Sequence, residues 1–461
     1  MRKDYRRYWM RWLGALCFMC MLWLDGGLLQ AQQGWSLDSC KASARRHNVA
    51  VRNADLDVQA AREVKKQALT KYFPNVSGVA LGYHALKPLI EYGIDDVKNA
   101  EARELFYNWY AEEGAALGLP NSISLCERGV TAGVTAVQPV FAGGRIVNGN
   151  KLARVGVEAA SLQYELACQQ LDLQTEEYYW TIISLQEKQK TLQQALTLLD
   201  TLFRDVSAAR EAGLVVENDV LRVSIRQNEM KSNALKVANG LRLAKGALCQ
   251  HIGVPYDEQL RLTDTLSAQL LSPEAVYTDE QAAVGRRYET QLLEMNVTAE
   301  QLKHKMTMGE ALPQLSIGVA GSYGNLVVDD YNYNGLAFVT LQVPLSAWWE
   351  TAHKMKEQKL REQKAANLQQ DLTGKMSLEI RQAWNALEEA YQQLAIVEQT
   401  VDNAQRNMET ALQNYHAGLI PMSELLEAQT LYRQALDQQV DDRIAYQLRL
   451  TKYKQLIRVE R

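Results

Sequence analysis

Two stretches of this chain follow one pattern: "REAGLVVENDVLRVS" at Arg210–Ser224 and "YHAGLIPMSELLEAQ" at Tyr415–Gln429. Each ends a long polar-apolar run in Ala-Gly-Leu, places an acid five positions after the Leu, and follows the acid with two aliphatics. A shift of 205 residues superposes Gly213 on Gly418, Asp219 on Glu424, Leu221 on Leu426 and Leu243 on Leu448. The same shift carries Val134 onto Val339, Thr135 onto Thr340 and Pro139 onto Pro344. An offset held from Val134 to Leu243 identifies a tandem duplication with a period far longer than that of solenoid repeats. Upstream, "FPNVSGVALGY" at Phe73–Tyr83 echoes "LPQLSIGVAGSY" at Leu312–Tyr323, but Pro74 meets Pro313 at an offset of 239. The extra 34 residues (239 less 205) fall in a loop-like insertion at about 85–128, expected to hold one short helix.

Each half has the same plan. Between Arg145 and Ala212, apolar residues recur at Leu152, Val155, Ala159, Leu162 and Leu166, then at Leu192, Leu199 and Val206. The second half places Ile380, Trp384, Leu387, Tyr391 and Leu394 at steps of four and three. With no internal proline, this is the spacing of coiled-coil helices. The Arg145–Ala212 stretch would be ~100 Å long, the helix after Gly213 ~60 Å and the helix at Leu37–Tyr72 ~55 Å. Each half is thus expected to pack one continuous helix (to Ala212; Ser346–Ala417) beside a broken one. The pieces of the broken helix are Leu37–Tyr72 with the helix after Gly213, and Glu274–Ala311 with Leu419–Arg458.

Alternating strands lie between them. Leu315, Ile317, Val319, Gly321 and Tyr323 alternate with small or polar residues, and Val130, Ala132, Val134 and Ala136 do the same, as do Ala337, Val339, Leu341 and Val343. Strands of about ten residues with one apolar face suit a transmembrane β-barrel; soluble hairpins packed on helices are the competing reading. Tyr72, Phe73, Phe141, Trp348 and Trp349 stand at the strand–helix junctions, as a membrane-interface belt would. Four strands cannot close a barrel, and open edges in hydrocarbon are too costly to persist, so the chain must oligomerise.

The rest of the sequence bounds the function. The 461 residues are 47% hydrophobic and 23% charged with a net charge of −4, so no basic field recruits nucleic acid. Basic "MRKDYRRYWMRW", the apolar run "LGALCFMCMLWL" and small residues before a cleavage point after Ala31 make residues 1–31 a secretory signal peptide, too short in its apolar part to span a membrane. Neither Cys17 nor Cys20 follows a small residue, which argues against a lipid anchor. Cys40, Cys126, Cys168 and Cys249 remain after export, without C-x-x-C spacing or a His cluster. No metal or cofactor is expected, and either one disulfide or buried thiols fit. The histidines form no H-E-x-x-H, "FAGGR" reads as a turn, and Glu388 with Glu389 as solvated helix surface, so no enzyme is expected.

With "VQPVFAGGRIVNGNKLARVGVEAASLQYE" at Val137–Glu165 and both Ala-Gly-Leu stretches, the mature chain resembles the TolC-like outer-membrane efflux protein family. The resemblance implies a mixed, mostly α membrane protein: a homotrimer with a twelve-stranded outer-membrane β-barrel on a long periplasmic helical coiled-coil barrel. It implies a passive exit duct for efflux or type I export, docked through a periplasmic adaptor to an inner-membrane pump. The repeats would then be 32–253 and 274–461, joined by a linker at 254–273. Gly213, Leu214, Gly418 and Leu419 would form the adaptor-docking tips. Glu424, Glu427 and Tyr415 match positions that gate the periplasmic entrance; Ile420 replaces the family's basic partner there, and "LSAWWETAHK" lacks the Gly-Gly of the first strand-to-helix junction. The insertion would lie outside the cell. An exported soluble coiled-coil protein is the alternative, and it leaves the alternating strands unexplained.

Overall fold

The computed structural model describes residues 34–87, 90–125, 128–266, 270–325 and 331–458; the expected signal peptide and Cys126 lie outside these. The helices are α1 (Leu37–His47), α2 (Val49–Thr70), α3 (Ala100–Trp109), α4 (Arg145–Glu211), α5 (Glu217–Ile252), α6 (Glu280–Arg286), α7 (Tyr288–Glu310), α8 (Ala347–His416) and α9 (Met422–Leu456). The strands are β1 (Asn75–His84), β2 (Ile90–Gly93), β3 (Ser122–Leu125), β4 (Arg128–Ala142), β5 (Gln314–Gly324) and β6 (Asn332–Gln342). The described residues divide into two compact bodies: one holds those up to Leu56 with those of Leu162–Gln291 and those from Leu372 onward, the other those of Asp57–Ser161 and Leu292–Asp371.

In the first body, the heptad residues Leu192, Leu199 and Val206 of α4 and Ile380, Leu387 and Leu394 of α8 are all buried. That is what a seven-residue apolar repeat dictates for helices packed side by side. One core joins Cys40 and Ala44 of α1 to Leu171, Tyr179 and Ile182 of α4 and to Leu248 and Ile252 of α5. A second joins Ala283 and Val284 of α6 to Ile380 and Leu387 of α8 and to Tyr446 and Tyr453 of α9. Cys40, Cys168 and Cys249 are buried free thiols, and burial pushes the Cys40 thiol up to about 12.

Two expected helices are interrupted. The Leu37–Tyr72 helix breaks at Asn48, whose backbone is extended (ψ 132°). Its counterpart breaks 239 positions later at Arg287 (ψ 143°), after a 3₁₀ turn at Pro273–Val276 and the short helix α6. The Asn48 side chain accepts a hydrogen bond from the Ala50 N–H at 2.8 Å, which helps satisfy the open amides that begin α2. Arg287 instead binds the carboxylates of Glu289 and Glu379, each at 2.7 Å.

The second body contains a four-stranded antiparallel sheet in the order β1-β4-β5-β6. Its register places Val76 beside Ala136, Ala136 beside Val319, and Val319 beside Ala337, so one face collects valines, alanines, Ile317 and Leu341. Val76, Val134, Ile317, Val319, Val339 and Leu341 on that face are all exposed, the surface that lipid requires. The opposite face carries Ser77, Thr135, Ser316 and Thr340. A bulge between Pro139 and Phe141 leaves Val140 as the extra residue opposite β5. The insertion is more structured than a loop with one helix: β2 and β3 pair antiparallel and enclose α3. Among the described residues, no helix is long and apolar enough to cross a membrane.

Candidate functional site: the paired helical tips

The two Ala-Gly-Leu stretches fold alike. Gly213 and Gly418 both stand at φ +74°, a conformation that favours glycine. The Gly213 N–H donates to the Arg210 carbonyl and the Leu214 N–H to that of Ala209, both at 2.9 Å. At the second tip the Gly418 N–H donates to Tyr415 and the Leu419 N–H to Asn414, again both at 2.9 Å. This is the Schellman closure that ends a helix. Leu214 and Leu419 project into solvent, 79% and 73% exposed. The return helices start at Glu217 and Met422, and Asp219 and Glu424 lie in their first turns, where the positive helix end favours carboxylates.

The tips share a core. Leu199 and Val206 of α4, Val223 and Met230 of α5, Ala411 of α8, and Met422, Leu425 and Ala428 of α9 form one buried cluster, with Tyr415 and Ile420 packed against it. Tyr415 is half-buried, and burial, followed by the carboxylates of Asp219 and Asp205, pushes its phenol above the ordinary tyrosine value. The charge effect links the last turn of the second long helix to acids of the first repeat. Glu424 and Glu427 are exposed on α9, and neither carboxylate makes an ion pair or hydrogen bond among the described residues. The structure thus separates the three expected gate residues into a packed tyrosine and two solvated acids.

Sequence reading missed Arg226, which reaches from α5 to the Thr430 hydroxyl of α9 and also binds Glu229 at 2.7 Å. The 205-residue offset gives no warning of it, because Leu431 stands at the equivalent place. Gln227 was missed too; it is buried and donates to the Asp200 carboxylate at 2.8 Å.

The aromatic set occupies the second body. Tyr72, Phe73, Phe141, Trp348 and Trp349 are all exposed, and all lie at or within a few residues of a strand–helix boundary. The Trp348 Nε1 donates to the Ala311 carbonyl at 3.0 Å, and the Gln138 amide donates to the Tyr72 carbonyl at 3.1 Å. No cluster of metal-ligating side chains occurs among the described residues.

Residues 281–457 match the family described as "Outer membrane efflux protein". No curated protein sequence matches the chain. Among solved structures, the chain is similar to the outer-membrane channel OprN, at 14% identity and a TM-score of 0.74 over 91% of this chain and 89% of that one. It is likewise similar to the CmeC outer membrane channel of Campylobacter jejuni, at 15% identity and a TM-score of 0.70 over 91% and 85% of the two chains. The open state of the MtrE outer membrane channel of Neisseria gonorrhoeae gives 15% identity and a TM-score of 0.72 over 91% and 88%. At these identities the likeness is one of fold. Residues 281–457 thus carry the pattern of the outer membrane efflux proteins, and the chain shares the fold of these outer-membrane channels along most of its length.

Proposed function

We propose that three copies of this chain close a twelve-stranded outer-membrane barrel and serve as the exit duct of a multicomponent efflux or type I export system. Substrate would arrive from an inner-membrane pump through a periplasmic adaptor. The carrying observation is the four-stranded sheet: one face is apolar and exposed, and β1 and β6 are its outermost strands among the described residues. In hydrocarbon the outer edges of such strands must find partners, and further copies of the same strands supply them.

In this reading the strands sit in the outer membrane and the helices extend into the periplasm. Tyr72, Phe73, Phe141, Trp348 and Trp349 belong to the membrane interface, while the adaptor docks at Gly213, Leu214, Gly418 and Leu419. Glu424, Glu427 and Tyr415 control the periplasmic mouth. Residues 1–31 direct export, and repeats 32–253 and 274–461 flank a linker at 254–273. A wide passive duct performs no chemistry and needs no cofactor; the pump supplies the work.

The test is the mass of the detergent-extracted protein by native mass spectrometry, with conductance in planar bilayers. A conducting trimer is expected. A monodisperse monomer that inserts and conducts would overturn the reading.

A further inference from the structure

The two β-hairpins descend from one duplicated unit, so each strand position has an internal counterpart. On the polar face, the edge strand β1 carries Val79 and Leu81 where the central strand β5, 239 positions on, carries Gly318 and Ala320. The edge strand β6 carries Leu336 and Phe338 where the central strand β4, 205 positions earlier, carries Thr131 and Gly133. In all four comparisons the large apolar residue is on the edge strand. The register sets large against small within each hairpin: Val79 opposite Gly133, Leu81 opposite Thr131, Leu336 opposite Ala320 and Phe338 opposite Gly318. Phe338 lies across Gly318, where a Cβ would meet its ring at 2.4 Å. Between the central strands Gly133 stands beside Ser322 and Thr135 beside Ala320, and the larger Val137 and Pro139 come only at the helix end of β4, beside Gly318 and Ser316.

Val79, Leu81 and Leu336 are 63%, 52% and 62% exposed. A lumen full of water gives no reason to place them there, nor to set all four of these large-for-small exchanges on the two outer strands. The strand order alternates direction, so β6 of one copy and β1 of the next would meet antiparallel, as the other neighbours do. At that seam large would face large.

We propose that Val79, Leu81, Leu336 and Phe338 form an apolar strip on the lumen side of the seam between copies, with β1 of one copy packed against β6 of a second copy of this chain. The strip rests on the trimeric reading and deepens it by naming the surface that joins the protomers. It supplies burial where no covalent turn links neighbouring strands. The central junction, β4 with β5, lies within one chain and carries no such strip.

Paired cysteines test it. Leu336→Cys is combined in turn with Val79→Cys, Leu81→Cys and Tyr83→Cys, three positions on one face of β1, so that one falls within reach whichever register the seam adopts. The control is Thr135→Cys with Ala320→Cys, cross-strand neighbours within the chain. Under a short bifunctional maleimide, at least one seam pair should yield covalently linked copies and the control should yield none. An intact trimer with every seam pair unlinked would overturn the strip and leave the trimer standing; absence of a trimer would remove both. Leu81→Asn with Leu336→Asn should also speed trimer dissociation in detergent about tenfold or more. Unaltered dissociation, with or without a change in conductance, would place these side chains in the open lumen and overturn the proposal.

Discussion

Lys41 and Glu176 form a buried ion pair, their side chains 5% and 3% exposed, and the second repeat carries the same pair with its charges reversed. Glu280 lies 239 positions after Lys41 and Arg381 lies 205 after Glu176, the two offsets that align the repeats. Glu280 and Arg381 meet at 2.7 Å, with Arg381 61% exposed. Each pair fastens a short helix, α1 or α6, to a long one, α4 or α8. The repeats have kept the joint and exchanged its signs.

Removing one partner of a buried pair strands the other charge away from water. Lys41→Met should therefore destabilise the fold by about 3–5 kcal/mol. Arg381→Met should do far less, since water screens that pair. The double reversal Lys41→Glu with Glu176→Arg should recover part of the loss, as the second repeat already uses that polarity. Thermal unfolding followed by circular dichroism reads all three. Equal losses from Lys41→Met and Arg381→Met would contradict the argument.

His251 sets an acid limit. Its Nε2 lies 3.0 Å from the Thr175 hydroxyl, its ring lies 5.0 Å from that of Tyr178, and burial pulls its pKa below the ordinary 6.5. The folded state thus prefers neutral imidazole. Its contribution is complete above pH 6.5 and is lost as pH falls through the lower folded value. The melting temperature should drop from pH 7 to about pH 5, and His251→Gln should flatten this part of the profile. An identical slope in the variant would assign the loss to other groups.

What the sequence disclosed follows from where it carries punctuation. The tips were legible because Gly213 and Gly418 end long heptad runs free of proline, and only a few residue types suit a left-handed turn. The breaks at Asn48 and Arg287 were not, because neither position holds Gly or Pro and both are fixed by side-chain bonds. The faces of β1 were hidden because Val76 and Val79 are both apolar, so alternation fails and only the pairing with β4 decides. In the insertion, β2 and β3 are four residues each and lie far apart in sequence, too short for a periodic signal. At the site, the position of Tyr415 followed from the repeat. Its approach to Asp219 and Asp205 depends on packing between hairpins, which no local pattern encodes.

Gly213 and Gly418 isolate backbone strain from crowding. A Cβ at either position would meet nothing within 4 Å, so the left-handed φ of +74° alone sets the cost of substitution. Gly213→Ala and Gly418→Ala should each cost about 1–2 kcal/mol, and the asparagine variants less, because Asn tolerates this region. Adaptor cross-linking should weaken in the same order, with trimers intact. Alanine and asparagine variants indistinguishable from each other and from wild type would remove the assignment of these turns as adaptor-docking tips.

The acidic pair of α9 gives the last expectation. Glu424 and Glu427 are three residues apart, so they share one helical face, and both are exposed. The first repeat has Asp219 and Arg222 at the matching places, so its net charge there is nil and only the second hairpin presents two carboxylates. Asp219 is also turned to another use, lying near the Tyr415 phenol. In the trimeric reading, six carboxylates from Glu424 and Glu427 would surround one axis. Like charges so placed repel unless cations sit among them, and a multivalent ion neutralises several at once. Wild-type channels in planar bilayers should therefore be cation-selective and blocked from the periplasmic side by a trivalent cation. Glu424→Ala with Glu427→Ala should abolish the block and leave the trimer intact, because both side chains point into water and support no buried contact. Block of the double variant at the wild-type concentration would show that the mouth is lined by other groups.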